Sequence, residues 1–186
     1  MRRLALAVLV VSSLTVATAC SQPPAKERGQ AEGAIAAARA ASAEVYAADE
    51  LLAAEAALAR YDVAVAQKDY RQALNAALDA RDRGYEAVKR ASTAKADARA
   101  HAERLVIALD TLAATINDRI SGAATPRITG ANAQLLRRAV ATSANALQEA
   151  RSAIDDGQYP VAITRLEAAL AALQKEFDSV TRRGRP

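Results

Sequence analysis

The chain has 186 residues, of which 52% are hydrophobic but only 3% aromatic, with no tryptophan. The apolar share is therefore carried by small side chains. About 50 alanines put the best intrinsic helix former at a quarter of the positions, which excludes a β-sandwich or a Rossmann fold. The formal charge is +4, but Arg2, Arg3, Arg182, Arg183 and Arg185 lie at the two ends. The body between them is close to neutral and lacks the clustered basic stripe with stacking aromatics that nucleic-acid binding uses.

Met1-Arg2-Arg3 is a positive start, Leu4 to Val11 an unbroken apolar run, and Ser12 to Ala19 a stretch of small residues ending before Cys20. That order is the layout of a secretory signal. Ser12, Ser13, Thr15 and Thr18 interrupt the run short of the ~20 apolar residues of a membrane span, so removal is expected rather than permanent insertion. Val16-Ala17-Thr18-Ala19-Cys20 resembles the lipobox of bacterial lipoproteins, with Ala17 where leucine is commoner. The resemblance implies a signal peptide over residues 1–19, a diacylglyceryl thioether on Cys20 as the lipidation site, and membrane attachment through it. Two or three acyl chains on one residue hold a protein on a bilayer, whereas one exchanges readily. Ser21 follows the cysteine where aspartate would favour inner-membrane retention, which by the same resemblance implies an outer-membrane lipoprotein facing the periplasm. Residues 20–29 are then the lipidated cysteine and a flexible tether, since Pro23-Pro24 cannot propagate a helix. Cys20 is the only cysteine, so no disulfide forms within the chain.

The next elements are helices. Leu51, Ala54, Leu58, Tyr61 and Val65 recur in steps of three and four, one apolar stripe that needs a partner. After the polar break Ala66-Gln67-Lys68-Asp69-Tyr70, a second stripe begins with Tyr70, Ala73, Leu74, Ala77 and Leu78, which predicts an antiparallel hairpin. The second helix is expected to run to Ile120. Antiparallel pairing about the turn then sets Ile35 near Glu103 and Ala38 near Ala100, giving one long N-terminal hairpin over residues 30–120. Between Lys89 and Arg104 nothing apolar exceeds alanine, and alanine contacts bury little area at ~25 cal/mol per Å², so this part should be the more mobile.

Residues 121–130, with Pro126 and two glycines, are the expected loop and boundary, and Thr129 or Asn132 is a candidate cap. Leu136, Val140, Ser143, Leu147, Ala150 and Ile154 stripe the following helix. It stops at Asp155-Asp156-Gly157, where glycine supplies a left-handed cap, and Pro160 fits the first turn of the next helix. Ile163, Leu166, Leu170, Leu173, Phe177 and Val180 form its seam. Residues 131–181 thus predict a C-terminal hairpin packing on the end of the second long helix, with 182–186 a basic tail.

An internal repeat joins the halves. An offset of 89 residues aligns Leu58 with Leu147, Val65 with Ile154, Tyr70 with Tyr159, Ala73 with Ala162 and Ala80 with Ala169. The expected fold is all-α, two repeated hairpin units after a signal segment. A tyrosine just past each turn suits packing across the hairpin mouth with its hydroxyl in water. Ala34-Ile35-Ala36-Ala37-Ala38, Tyr46-Ala47, Leu51 and Lys68-Asp69-Tyr70 resemble the alanine-rich helical lipoproteins grouped as domain of unknown function 4398, over about Gln30 to Ala102. Ala48 stands where that family has proline in its YAP break, and Lys68 where it has glycine in its GDY turn; these departures permit a straighter first helix. The resemblance implies an envelope-anchored helical module with no assigned activity.

The chemistry-bearing inventory is short. His101 is the only histidine and Met1 the only methionine, so two-ligand haem sites lack a set. No CxxC, ExxH repeat, GxSxG or GxxxxGK[ST] occurs. Asp97 and His101 stand at i, i+4, a solvated pair; Asp155-Asp156-Gly157 lacks the alternating oxygen ligands of a calcium loop. Asp79 and Asp82, like Asp49 and Glu50, alternate with bases as a solvated helix surface. No catalytic residue, cofactor, metal, nucleic acid or small-molecule substrate is expected. The leading expectation is a non-enzymatic, lipid-anchored helical scaffold or adaptor in the periplasm with envelope protein partners. A tetratricopeptide-like peptide-binding module is the alternative, and a cell-wall-associated structural coiled coil the third.

Overall fold

A computed structural model describes residues 22–183, and every regular element among them is an α-helix. In chain order these are α1 (Ala25–Ala40), α2 (Ala43–Tyr46), α3 (Ala48–Ala66), α4 (Tyr70–Ser121), α5 (Gly130–Asp155) and α6 (Tyr159–Arg183). The all-α hairpin architecture follows from the composition: alanine throughout the element interiors, with proline and positive-φ residues confined to their ends. The chain divides between Ala94 and Lys95 into two compact units. The division falls inside α4 and not at the loop 121–130, because buried side chains of α4 from Ala102 onward belong to the cluster of α5 and α6.

In unit 1, α1 does not pair with the far end of α4. It stops at Ala40, Ser42 takes a left-handed conformation (φ 65°), α2 makes one turn, and Ala47 (φ −153°, ψ 47°) breaks the helix again before α3. The helix thus breaks near Tyr46 although Ala48 stands in the place of proline. Three non-helical residues, Ala41, Ser42 and Ala47, reverse the chain even without proline, because Ala43 and Ala47 are buried in one cluster with Ile35, Ala38 and Leu51. The folded-back α1 runs antiparallel to α3: Arg28 meets Asp62 and Arg39 meets Glu55. Its small side chains lie against both later helices, Ala31 with Ala57 and Ala80, and Ile35 and Ala38 with Ala54, Ala87 and Ala91.

Ile35 therefore sits by α4 at Ala87, not at Glu103, and Ala38 is likewise not at Ala100. Gly84 explains the placement: a Cβ there would lie 2.8 Å from the Ala34 Cβ and 3.0 Å from the Ala34 carbonyl carbon. The missing side chain admits α1 to near-backbone contact. Alanine faces contribute little burial each, so close approach is how this unit gathers dispersion contacts. The expected long hairpin is thus a three-helix unit of α1, α3 and the first part of α4.

Unit 2 has the same plan with larger residues. The second part of α4, α5 and α6 enclose Leu109, Ile116, Leu136, Leu166 and Leu173, all essentially inaccessible. Fully burying one such side chain contributes about 1.5–3 kcal/mol. Thr129 stands at the N-cap of α5 with extended backbone and no side-chain cap bond. Asp110–Arg151 and Glu149–Arg165, at 2.8 and 3.0 Å, tie α5 to its two neighbours.

The repeat holds down to individual hydrogen bonds. In the first turn Gln67 N donates to Val63 O, Lys68 N to Val65 O and Asp69 N to Ala64 O; in the second Asp156 N donates to Ser152 O, Gly157 N to Ile154 O and Gln158 N to Ala153 O. Lys68 (φ 60°) and Gly157 (φ 73°) occupy the left-handed position of the two turns. This is the helix-terminating geometry that glycine adopts without steric cost and lysine does not.

Candidate functional site

The expected lipidation site, Cys20, lies outside the described residues, as does the basic tail beyond Arg183. Pro24 occupies the N-cap of α1, so helix begins at Ala25, and the flexible tether expected through residue 29 is shortened accordingly. Residues 26–29 are helical because of what α1 gains by docking. Ala31 is buried, Glu27 complements the positive helix end, and Arg28 reaches three partners. The Arg28 Nε is 2.9 Å from Glu32 Oε1, its Nη2 is 3.7 Å from Asp62 Oδ1, and its Cζ lies 5.6 Å from the centroid of the Tyr61 ring. Tyr61 is itself buried. A cation over an aromatic face adds about 0.5–1 kcal/mol at such exposed sites, so the first turn of α1 is fastened to the last turns of α3.

The remaining residues singled out in the sequence are not brought together. His101 faces Glu167 of α6, Nε2 to Oε1 3.9 Å. Asp155 and Asp156 end α5 and its cap, with Gly157 left-handed beyond them, and do not converge on a common point with other acids. Asp79 accepts from Arg60 and Arg83, Asp82 is paired with Arg81, and Glu50 with Arg90. Among the described residues no group of three or more His, Cys, Asp or Glu is placed to hold a metal ion, and no buried side-chain nitrogen or oxygen lacks a hydrogen-bond partner. The Arg99 guanidinium is held above its ordinary range by its hydrogen bond to Glu103 and that group's charge, with a further contribution from Tyr159. Tyr70 and Tyr159, the tyrosines after the two turns, are half-buried.

One surface feature was not singled out from the sequence. In unit 2 the outer seam between α5 and α6 is a groove of about 420 Å³ whose lining includes Ala139, Ala146, Ala168 and Ala172, with Arg165 and Glu176 at its margins. The repeat carries the signal. Ala139, Ala168 and Ala172 correspond to Glu50, Asp79 and Arg83, and in unit 1 these charged residues pair along the seam through Arg90–Glu50, Arg60–Asp79 and Arg83–Asp79, leaving a smaller groove of about 210 Å³ lined by Asp49, Glu50, Ala53, Arg83 and Glu86. The two seams differ by charge at equivalent positions, which becomes visible only when the 89-residue offset is applied outside the apolar stripe.

The chain matches no protein-family model, no curated protein and no solved structure.

Proposed function

We propose that the protein is a non-enzymatic, lipid-anchored scaffold or adaptor of the bacterial cell envelope, held by acyl chains on Cys20 and directed to the periplasm. The observation that carries the reading is the start of α1 at Ala25, five residues past Cys20, at the head of a helical unit that is then repeated. A lipid on Cys20 thus leads directly into a built helix, without a long linker. The sequence before it supports the same reading: positive start, apolar run, small residues and cysteine in the order of a lipoprotein signal. The described side chains support a role exerted through shape, since charged groups form exposed pairs along helices, Leu109, Ile116, Leu136, Leu166 and Leu173 fill an interior, and Val45, Leu52, Val63 and Ile107 are left on the surface. Envelope proteins are the partner class that fits this location, and the similarity to the helical lipoproteins of domain of unknown function 4398 belongs to the same proposal. A peptide-gripping groove has less support, because each unit is three helices around a filled interior and Tyr61, Tyr70 and Tyr159 are buried or half-buried.

Fractionation of cells making the full chain or its Cys20→Ser variant tests the proposal. The parent chain is expected in the outer-membrane fraction, and the variant in the soluble periplasmic fraction or as uncleaved precursor. Equal distribution of both chains contradicts lipid anchoring, and turnover of a compound by the purified protein contradicts the scaffold reading.

A further inference from the structure

Resting on the anchoring reading, we propose that unit 1 stands on the membrane by one defined end, the end bearing the Gln67–Tyr70 turn, and that this end contacts the headgroups of an anionic bilayer. Chain reach sets the orientation. Ala25 is five Cα-to-Cα steps past Cys20, and at most about 3.6 Å per step an extended chain spans ~18 Å. The first turn of α1 therefore stays within that reach of the lipid interface. Arg28, over the Tyr61 ring and beside Asp62, fixes which part of the unit shares that level. At about 1.5 Å per helical residue, Ala25 lies less than one turn before Arg28, and Gln67 less than two turns past Asp62. The turn and the head of α1 thus form one end of the unit. The corner of α2 and the start of α3 form the other, ~28 Å away along the 19 residues of α3.

The two ends differ in charge as well as position. The anchor end exposes Lys26, Lys68 and Arg71 beside Glu27 and Asp69, and the Asp69 carboxylate is engaged by the Gln72 N–H of α4 at 2.9 Å. The far corner carries Glu44, Asp49 and Glu50, the last paired with Arg90, beside Arg39 at the end of α1, which is paired with Glu55. An anionic surface attracts basic groups within roughly a Debye length, about 8–10 Å, and repels acidic ones. Lys68 also stands exposed at the left-handed position of the turn. The same orientation holds if the signal segment itself were the anchor, since it too precedes Ala25.

The test uses the full lipidated chain in vesicles containing headgroup-nitroxide lipid, with a fluorophore on either Gln67→Cys or Val45→Cys. Cys20 is blocked by its thioether, so each variant presents one thiol; both positions are exposed. The expected result is loss of emission at 67 with emission at 45 unchanged. The loss should be greater in phosphatidylglycerol-containing vesicles than in phosphatidylcholine alone. Combining Lys26→Gln, Lys68→Asn and Arg71→Gln should remove that lipid dependence while keeping 67 the quenched site. Equal quenching at both positions means the unit lies flat, and stronger quenching at 45 means it is inverted; either overturns the inference while vesicle flotation keeps the anchor intact. A chain that does not float with the vesicles overturns both the inference and the anchoring on which it rests.

Discussion

Units 1 and 2 use the same turn, the same helix order and the same hairpin spacing, yet they solve the packing problem in opposite ways. Unit 2 fills its interior with Leu109, Ile116, Leu136, Leu166 and Leu173. Unit 1 has Ile35, Leu51 and Tyr61 as its large buried side chains and fills the rest with Ala31, Ala34, Ala38, Ala54, Ala57, Ala80 and Ala87, and the position that repeats Leu173 is Gly84. Where side chains shrink, helices must approach, and α1 does so against a bare glycine. Unit 2 draws its stability from buried area; unit 1 depends on fit, with exposed ion pairs at its seam adding little each.

The largest expected effect separates the units by truncation. Leu173→Ala or Leu136→Ala should cost about 2–5 kcal/mol, read as faster amide exchange across α5, α6 and the second part of α4, with unit 1 changed far less. In the parent chain the amides of α1 should exchange before those of α5 and α6, because alanine contacts leave the smaller opening free energy. Uniform exchange across both units would remove the distinction.

Glycine-to-alanine exchange sharpens it by sign. Alanine in a helix interior ordinarily stabilises by about 1 kcal/mol relative to glycine. Gly29→Ala and Gly33→Ala, with no atom within 4 Å of the added Cβ, should obey that rule. Gly84→Ala should reverse it by about 1–3 kcal/mol, since the backbone of Ala34 stands in the way. Urea denaturation monitored by helix content decides; a stabilised Gly84→Ala would show that α1 is not seated there.

The turns give a smaller, paired prediction. Gly157→Ala meets open space but a positive φ, and should cost roughly 1 kcal/mol. Lys68→Gly should gain a similar amount, less the entropy that glycine restores to the unfolded chain. Thermal unfolding of the two variants should shift in opposite directions. Smallest of all, Asp79→Asn removes the negative charge shared by Arg60 and Arg83 and should change stability by under about 1 kcal/mol, an effect lost in high salt.

How much of this was legible in the sequence depends on which physical signal carried each element. The helices and both turns were readable because Leu51 to Val65 and Ile163 to Val180 hold a three-four period, and because Asp-Asp-Gly ends a helix by known chemistry. The position of α1 was not readable. Its stripe is alanine on nearly every face, so periodicity assigns no partner, and the reversal at Ser42 and Ala47 uses neither glycine nor proline. Gly84 was the available clue, a glycine inside a helix pattern, which signals close backbone approach. For the site, the sequence pointed to Cys20 through its surrounding motif. The contrast between the α5–α6 groove and its charged counterpart needed the repeat to be read on the solvent face, where apolar periodicity is silent.

The measurement that bears most directly on lipid anchoring is the intact mass of the protein purified from membranes, with fragmentation of its N-terminal peptide. Anchoring predicts a chain beginning at Cys20 whose sulfur carries diacylglycerol and whose mass lacks residues 1–19. An unmodified Cys20, or a chain that still begins at Met1, would contradict it.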